Sequence, residues 1–173
     1  MQCYCDSHKE FHECCEPFLL YQSKPSTPQE LMRSRYTAYV LGNGEYLVRT
    51  TTPQNRYEDD AKLIAEFSQS VVWLGLKVIS SHANIVEFKA YYKDKEGIKV
   101  QHEKSYFVQA DGRWLYESGE LYAAKVERNE VCPCGSGKKY KGTSKNSTCD
   151  FRRSNFYSIY RRGLHLLAKA KRK

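Results

Sequence analysis

Three stretches decide the fold: Val71-Val-Trp-Leu-Gly-Leu-Lys-Val-Ile79, Val86-Glu-Phe-Lys-Ala-Tyr-Tyr92 and Val100-Gln-His-Glu-Lys-Ser-Tyr-Phe-Val108. Val72, Leu74, Leu76 and Val78 recur with a period of two, as do Val86, Phe88, Ala90 and Tyr92. The same period carries Val100, His102, Lys104, Tyr106 and Val108, and a shorter run, Trp114-Leu115-Tyr116, follows. A period of two is that of a pleated strand. The connections are Ser-Ser-His-Ala-Asn before Ile85, Lys95-Glu96-Gly97, and Asp111-Gly112. None is long enough for the crossover that parallel strands require, so the reading is an antiparallel meander.

Toward the N-terminus the period lengthens. Thr27 is placed to cap a helix, Pro28 suits its first position, and Glu30 completes a capping box. Met32, Tyr36, Tyr39 and Val40 then recur at helical spacing until Gly42-Asn43-Gly44 stops the run. Glu45–Thr50 reads as a short second helix ended by Pro53, and Glu58–Ser70 as a third with Leu63, Ile64 and Phe67 on one side. Helices followed by a curved antiparallel sheet make an α+β order. Pro17, Pro25 and Pro28 predict a linker that is neither helical nor paired.

Cysteine is concentrated at the two ends of this unit. Cys3, Cys5, Cys14 and Cys15 form one cluster, two tight pairs separated by eight residues. Cys132 and Cys134 begin a second cluster in the same way, but Thr143-Ser144 stands where its second pair is due. Four thiolates so spaced suit a tetrahedral zinc site, and they also suit iron. His8 and His12 lie inside the first loop as substitute ligands. The competing reading is a reduced cluster without metal, or a disulfide. Cys149 and His165 are the remaining candidates to complete the second cluster. A knuckle of this size is expected to lack a core and to fold on the binding energy of its cation.

The formal charge is +8, yet residues 151–173 alone carry eight Lys or Arg and no acid. The remaining 20 basic residues balance 20 acidic ones, so an argument for nucleic acid from charge concerns the tail only. Phe156, Tyr160, Leu164 and Leu167 give that tail an amphipathic helical pattern suited to phosphate backbones or anionic membranes. No apolar run reaches the roughly 20 residues that span a bilayer, and the start of the chain has no apolar signal region. The expectation is a cytoplasmic protein with reduced thiols.

Cys132-Pro-Cys134-Gly-Ser-Gly-Lys-Lys-Tyr resembles the SEC-C metal-binding motif, and the stretch from Cys3 to Cys15 fits its spacing with Asp6-Ser7-His8 in place of Gly-Ser-Gly. Leu31-Met-Arg-Ser-Arg-Tyr-Thr-Ala-Tyr-Val-Leu41, Trp73-Leu-Gly-Leu76 and Asp111-Gly-Arg-Trp114 resemble the bacterial YchJ family. The resemblance covers about residues 1–141. It implies a cone-shaped α+β domain of the kind shared by nuclear transport factor 2 and ketosteroid isomerase, flanked by cysteine-rich knuckles. The organisation expected is a knuckle at 1–16, a linker at 17–30, the cone at 31–119 and a linker at 120–131. A degenerate knuckle at 132–149 and a basic tail at 150–173 follow.

Such a cone encloses a cavity, and Tyr36, Tyr39, Trp73, Tyr91, His102, Tyr106 and Trp114 are the candidates to line it. These aromatics are equally suited to being plain core. Related folds place a carboxylate in this cavity as a general base, a position open here to Glu87 or Glu103. His102 and Glu103 are strand neighbours, face opposite ways and do not form a catalytic pair. Arg33 and Arg35 read either as solvated charges or as partners of a carboxylate on the sheet. No residue is singled out as catalytic. The reading is a metal-binding adaptor that meets a protein or ribonucleoprotein partner through its knuckles, with Lys138, Lys139 and Lys141 making the second one basic. The rivals are a small-ligand binder or enzyme using the cavity, and a nucleic-acid binder using the tail.

Overall fold

The computed structural model describes residues 1–133 and 137–140. The expectations for Cys134, Lys141, Cys149, His165 and the basic tail therefore lie outside the described residues. Four helices precede four strands: α1 (Glu16–Leu19), α2 (Pro28–Leu41), α3 (Gly44–Arg49), α4 (Asp60–Ser70), then β1 (Val72–His82), β2 (Ile85–Lys93), β3 (Ile98–Ala110) and β4 (Arg113–Tyr122). The strands form one open antiparallel sheet in the order β1-β2-β3-β4. Among the described residues no helix is long and apolar enough to cross a membrane.

Local chemistry explains the boundaries. Thr27 Oγ1 accepts from the Glu30 amide at 3.1 Å, and Glu30 Oε2 accepts from the amide and hydroxyl of Ser26 at 2.8 and 2.7 Å. That is a capping box whose glutamate reaches one residue further back. Gly42 closes α2 with φ 66°, and the Asn43 side chain caps α3. A Cβ at Gly44 would fall on the Ala61 carbonyl, so the α3–α4 contact requires glycine there. Asp111 (φ 50°) and Gly112 (φ 67°) make the tight β3–β4 turn.

One expectation fails in the segment read as a linker. Pro17 sits in the first turn of α1, where its missing N–H costs nothing, and Leu19 is buried. A single core joins Leu31, Leu41, Leu47, Val86 and Phe107 with Tyr4, Phe11, Cys15 and Leu19. The N-terminal knuckle therefore has a core, which it shares with the middle domain. The expectation that it has none is corrected accordingly.

The sheet faces also depart from the periodicity in β3. Glu103, Ser105 and Phe107 are the buried residues of this strand, while the phase read from the sequence, His102, Lys104 and Tyr106, turns to the other face. The register pairs Phe88 with Glu103 and Val86 with Ser105, which puts the polar phase of β3 on the helix-covered side. Register shifts interrupt β1 after Trp73 and after Val78, and β3 between Tyr106 and Phe107. Such bulges sharpen the twist and curve the sheet.

Candidate metal centre and cavity

The N-terminal cluster is built by a small closed loop. The Cys3 amide donates to the Lys9 carbonyl and the Phe11 amide to the Met1 carbonyl, both at 2.8 Å, with a bridge between Gln2 and Glu10. The second knuckle repeats this register residue for residue. Its Cys132 amide donates to the Lys138 carbonyl and its Tyr140 amide to the Glu130 carbonyl, both at 2.7 Å, with a bridge between Val131 and Lys139. Phe11 and Tyr140 are the buried anchors at equivalent places.

In the first knuckle the loop, the 3₁₀ turn Phe11–Glu13 and the start of α1 bring four sulfurs together. The Sγ atoms of Cys3, Cys5, Cys14 and Cys15 lie within 4.8 Å of one another, with Cys5–Cys14 at 3.6 Å and Cys14–Cys15 at 3.8 Å. A thiolate tetrahedron with bonds of about 2.3 Å has edges of about 3.8 Å, so this donor set fits a tetrahedral cation. All four thiols are free. Ser7 Oγ lies 3.1 Å from Cys14 Sγ. His8 and His12 stand outside the cluster, 80% and 63% exposed, near Asp6 and Glu13.

The thiols are electrostatically unequal. Hydrogen bonds from Cys15 and Cys3 pull the Cys5 thiol far down, and a hydrogen bond from Cys15 lowers Cys14 to about 7. Cys3 is pushed up to about 12, Cys5 and burial outweighing a lowering hydrogen bond from Cys15, and Cys15 is raised by Cys14, Cys3 and Cys5. Two sulfurs thus give up protons readily and two hold them.

The cluster is docked on α2. Arg33 Nη1 donates to the Cys5 carbonyl, and Thr37 Oγ1 lies 3.9 Å from Cys3 Sγ. In the second knuckle Cys132 is buried. Pro133 sits outside β1, its carbonyl 3.7 Å from where a Cβ of Gly75 would stand.

Between α2, α4 and the sheet lies a cavity of about 340 Å³. Of the candidates, Tyr36, Tyr39 and Trp73 line it. Tyr91, His102, Tyr106 and Trp114 do not. Tyr91 neighbours inward-facing Ala90 and so turns away, and His102 pairs with Glu87 at 2.7 Å on the opposite face. Tyr106 donates to Glu120, and Trp114 Nε1 donates to the Ser26 carbonyl at 3.0 Å.

The cavity's polar end comes from β3. Glu103 is 7% exposed; its Oε1 accepts from Ser105 Oγ at 2.5 Å and Tyr116 OH at 3.2 Å, and its Oε2 from Gln101 Nε2 at 2.7 Å. Gly119 leaves room for this carboxylate, since a Cβ there would fall on Glu103 Oε1. Arg35 lies against the same wall, donating to the Leu47 carbonyl and to Thr50 and Thr51, with its guanidinium 4.6 Å from the Tyr116 ring centre. Burial lowers the Arg35 pKa, an effect that Tyr39, Tyr116 and Glu103 oppose. Neither arginine is a merely solvated charge. Gln101, Ser105 and Tyr116, which surround Glu103, are among the cavity residues that sequence reasoning missed, because a polar strand face gives no apolar period to follow.

The fold and the cluster together define an NTF2-like α+β domain with SEC-C-type cysteine knuckles. The family model described as the YchJ middle NTF2-like domain matches residues 27–119, and that of the SEC-C motif matches residues 128–141. A UPF0225 protein of Actinobacillus succinogenes is 35% identical over 145 residues, covering 80% of this chain and 93% of that protein. One from Geobacter sulfurreducens is 38% identical over 152 residues, covering 80% and 94%. The chain belongs to the YchJ family, also named UPF0225. Two solved structures are similar. The SEC-C motif containing protein of Rhodopseudomonas palustris has a TM-score of 0.65 at 35% identity, over 71% of this chain and all of that one. The SEC-C motif containing protein of Psychrobacter arcticus has a TM-score of 0.58 at 28% identity, over 80% and 92%. The motif and the four-sulfur cluster together suggest metal binding.

Proposed function

We propose that this protein is a zinc-binding adaptor, in which Cys3, Cys5, Cys14 and Cys15 hold one cation and the knuckle surface meets a protein or ribonucleoprotein partner. The observation that carries the reading is the convergence of four sulfurs within 4.8 Å. Four thiolates fill a tetrahedron, so the cation has a structural role and offers no open position for a substrate. Zinc is preferred over iron because it needs no redox partner and takes this geometry without cost. A reducing compartment such as the cytoplasm keeps such thiols available.

The stretch around Cys132 shares the backbone register of the first knuckle, but its sequence lacks the second cysteine pair, so the expected load is one cation per chain. The partner surface is argued from exposure: His8 and Glu13 on the first knuckle and Val131 (69% exposed) on the second are displayed to solvent. The test is metal analysis of the full chain purified under reducing conditions. Close to one equivalent of zinc, lost in Cys14→Ser, supports the reading. A chain with no tightly held metal, or a Cys14→Ser variant that keeps its full load, overturns it. Affinity capture with the wild type and with Cys14→Ser then separates partners that need the knuckle from those that do not.

A further inference from the structure

We propose that the cavity beneath α2 and α4 is a binding site for a small, flat, neutral molecule that carries a hydroxyl group. The proposal is independent of the metal centre. At about 340 Å³ the cavity falls at the lower end of the size range of ligand sites. Its wall is aromatic, with Tyr36, Tyr39, Phe67 and Trp73 at one end, the Trp73 ring centre lying 5.6 to 6.1 Å from those of Tyr36, Tyr39 and Phe67. Such surfaces favour a ring, because stacked and edge-on contacts add to area burial.

The other end is a buried acceptor. A carboxylate has about four lone-pair positions. Ser105 and Tyr116 occupy both on Glu103 Oε1, and Gln101 occupies one on Oε2. One position on Oε2 is left without a donor among the described residues, on a side chain more than nine-tenths buried in the cavity wall. The Tyr39 hydroxyl also makes no hydrogen bond among the described residues and lines the same space. The group missing opposite Glu103 is therefore a donor, while Trp73 Nε1, buried at the aromatic end and without a hydrogen-bond partner among the described residues, would take an acceptor. Arg35, fixed on the same wall above Tyr116, makes an ammonium a poor choice and a neutral hydroxyl a good one. The way in runs beside α4, where Leu63 (58% exposed) and Phe67 (41% exposed) line the cavity and also reach solvent.

The probes are 2-naphthol and its methyl ether, 2-methoxynaphthalene, which share the rings and differ in the donor. Binding is measured on the full metal-loaded chain by calorimetry, and the two indole N–H signals are followed by NMR. The expected result is tighter binding of the naphthol by at least about tenfold, as the loss of a hydrogen bond to a buried charged acceptor implies. The Trp73 signal should shift while that of Trp114, which lies outside the cavity, stays put. Glu103→Leu should bring the two probes to within about twofold of each other, and Ala90→Leu should abolish binding by filling the cavity, with metal content unchanged. Equal affinities in the wild type, no binding of the naphthol at millimolar concentration, or shifts at Trp114 instead of Trp73 overturns the proposal. Should either variant fail to fold, the affinity ratio and the indole shifts of the wild type still decide.

Discussion

His8 and Gly137 hold the same left-handed backbone, φ 61° and 69°, at equivalent positions of the two knuckles. Glycine takes that conformation freely, whereas a residue with a Cβ is strained by about 1 kcal/mol or more. His8→Gly is therefore expected to raise stability by about 0.5–1 kcal/mol, since the relief slightly exceeds the extra freedom of glycine in the unfolded chain. The converse, Gly137→Ala, should weaken the second knuckle by about 1 kcal/mol. Denaturant unfolding of the metal-loaded chain measures both, and a destabilised His8→Gly would contradict the assignment.

Metal removal should be felt beyond the knuckle. Tyr4, Phe11 and Cys15 belong to the same core as Leu31 and Leu47, and Arg33 ties Cys5 to α2. A chelator under reducing conditions is thus expected to lower the melting temperature of the middle domain itself, by several degrees or more. An unchanged transition for the sheet, followed by near-ultraviolet circular dichroism at Trp73, would show the two parts to be independent. Phe11→Ala should cost about 3 kcal/mol or more even with metal bound, because it opens a cavity in shared core.

Metal affinity should rise with pH. Cys3 is pushed up to about 12 and Cys15 is raised, so both enter the metal-free folded state as thiols, while Cys5 and Cys14 (about 7) are easily ionised. Binding four thiolates must then expel roughly two protons near neutral pH, and a reaction that releases protons is favoured as pH increases. Calorimetric titration with zinc in buffers of different ionisation enthalpy counts them. A proton count near zero would mean that the four sulfurs are not all ligands.

Gly119→Ala is expected to cost about 1–3 kcal/mol, an overpacking penalty, since its methyl would meet Glu103 Oε1 and the Tyr116 hydroxyl. The same change displaces the carboxylate, so it should reduce the preference for the naphthol over its ether. A variant as stable as the wild type by urea unfolding would place Glu103 elsewhere.

The fold was legible where apolar periodicity and punctuation agreed. The α2 cap at Thr27, its stop at Gly42, the Asp111-Gly112 turn and the alternation in β2 all read directly, whereas the register shift after Trp73 breaks the alternation read for β1. The convergence of the four cysteines was legible for a different reason, since two tight pairs across a loop of eight residues match ligand spacing. What stayed hidden was the phase of β3. Gln101, Glu103 and Ser105 face the helices, and a buried polar row looks in sequence like a solvent face. Its meaning comes only from Tyr116 and Gly119 on the neighbouring strand, which supply a donor and the space. Pro17 misled in the opposite direction, because a proline in a first turn is a helix start as readily as a linker.

Helix α2 presents Arg33 to the Cys5 carbonyl, Thr37 to the Cys3 sulfur, and Tyr36 and Tyr39 to the cavity, all from a single rigid rod. The amino-terminal knuckle is for that reason a poor candidate for transplantation. A cassette cut after Cys15 would arrive in a new host without the surface that seats it, whereas one extended through Leu41 would carry its own anvil. Engineers who borrow it should expect the longer piece to travel and the shorter one to fail.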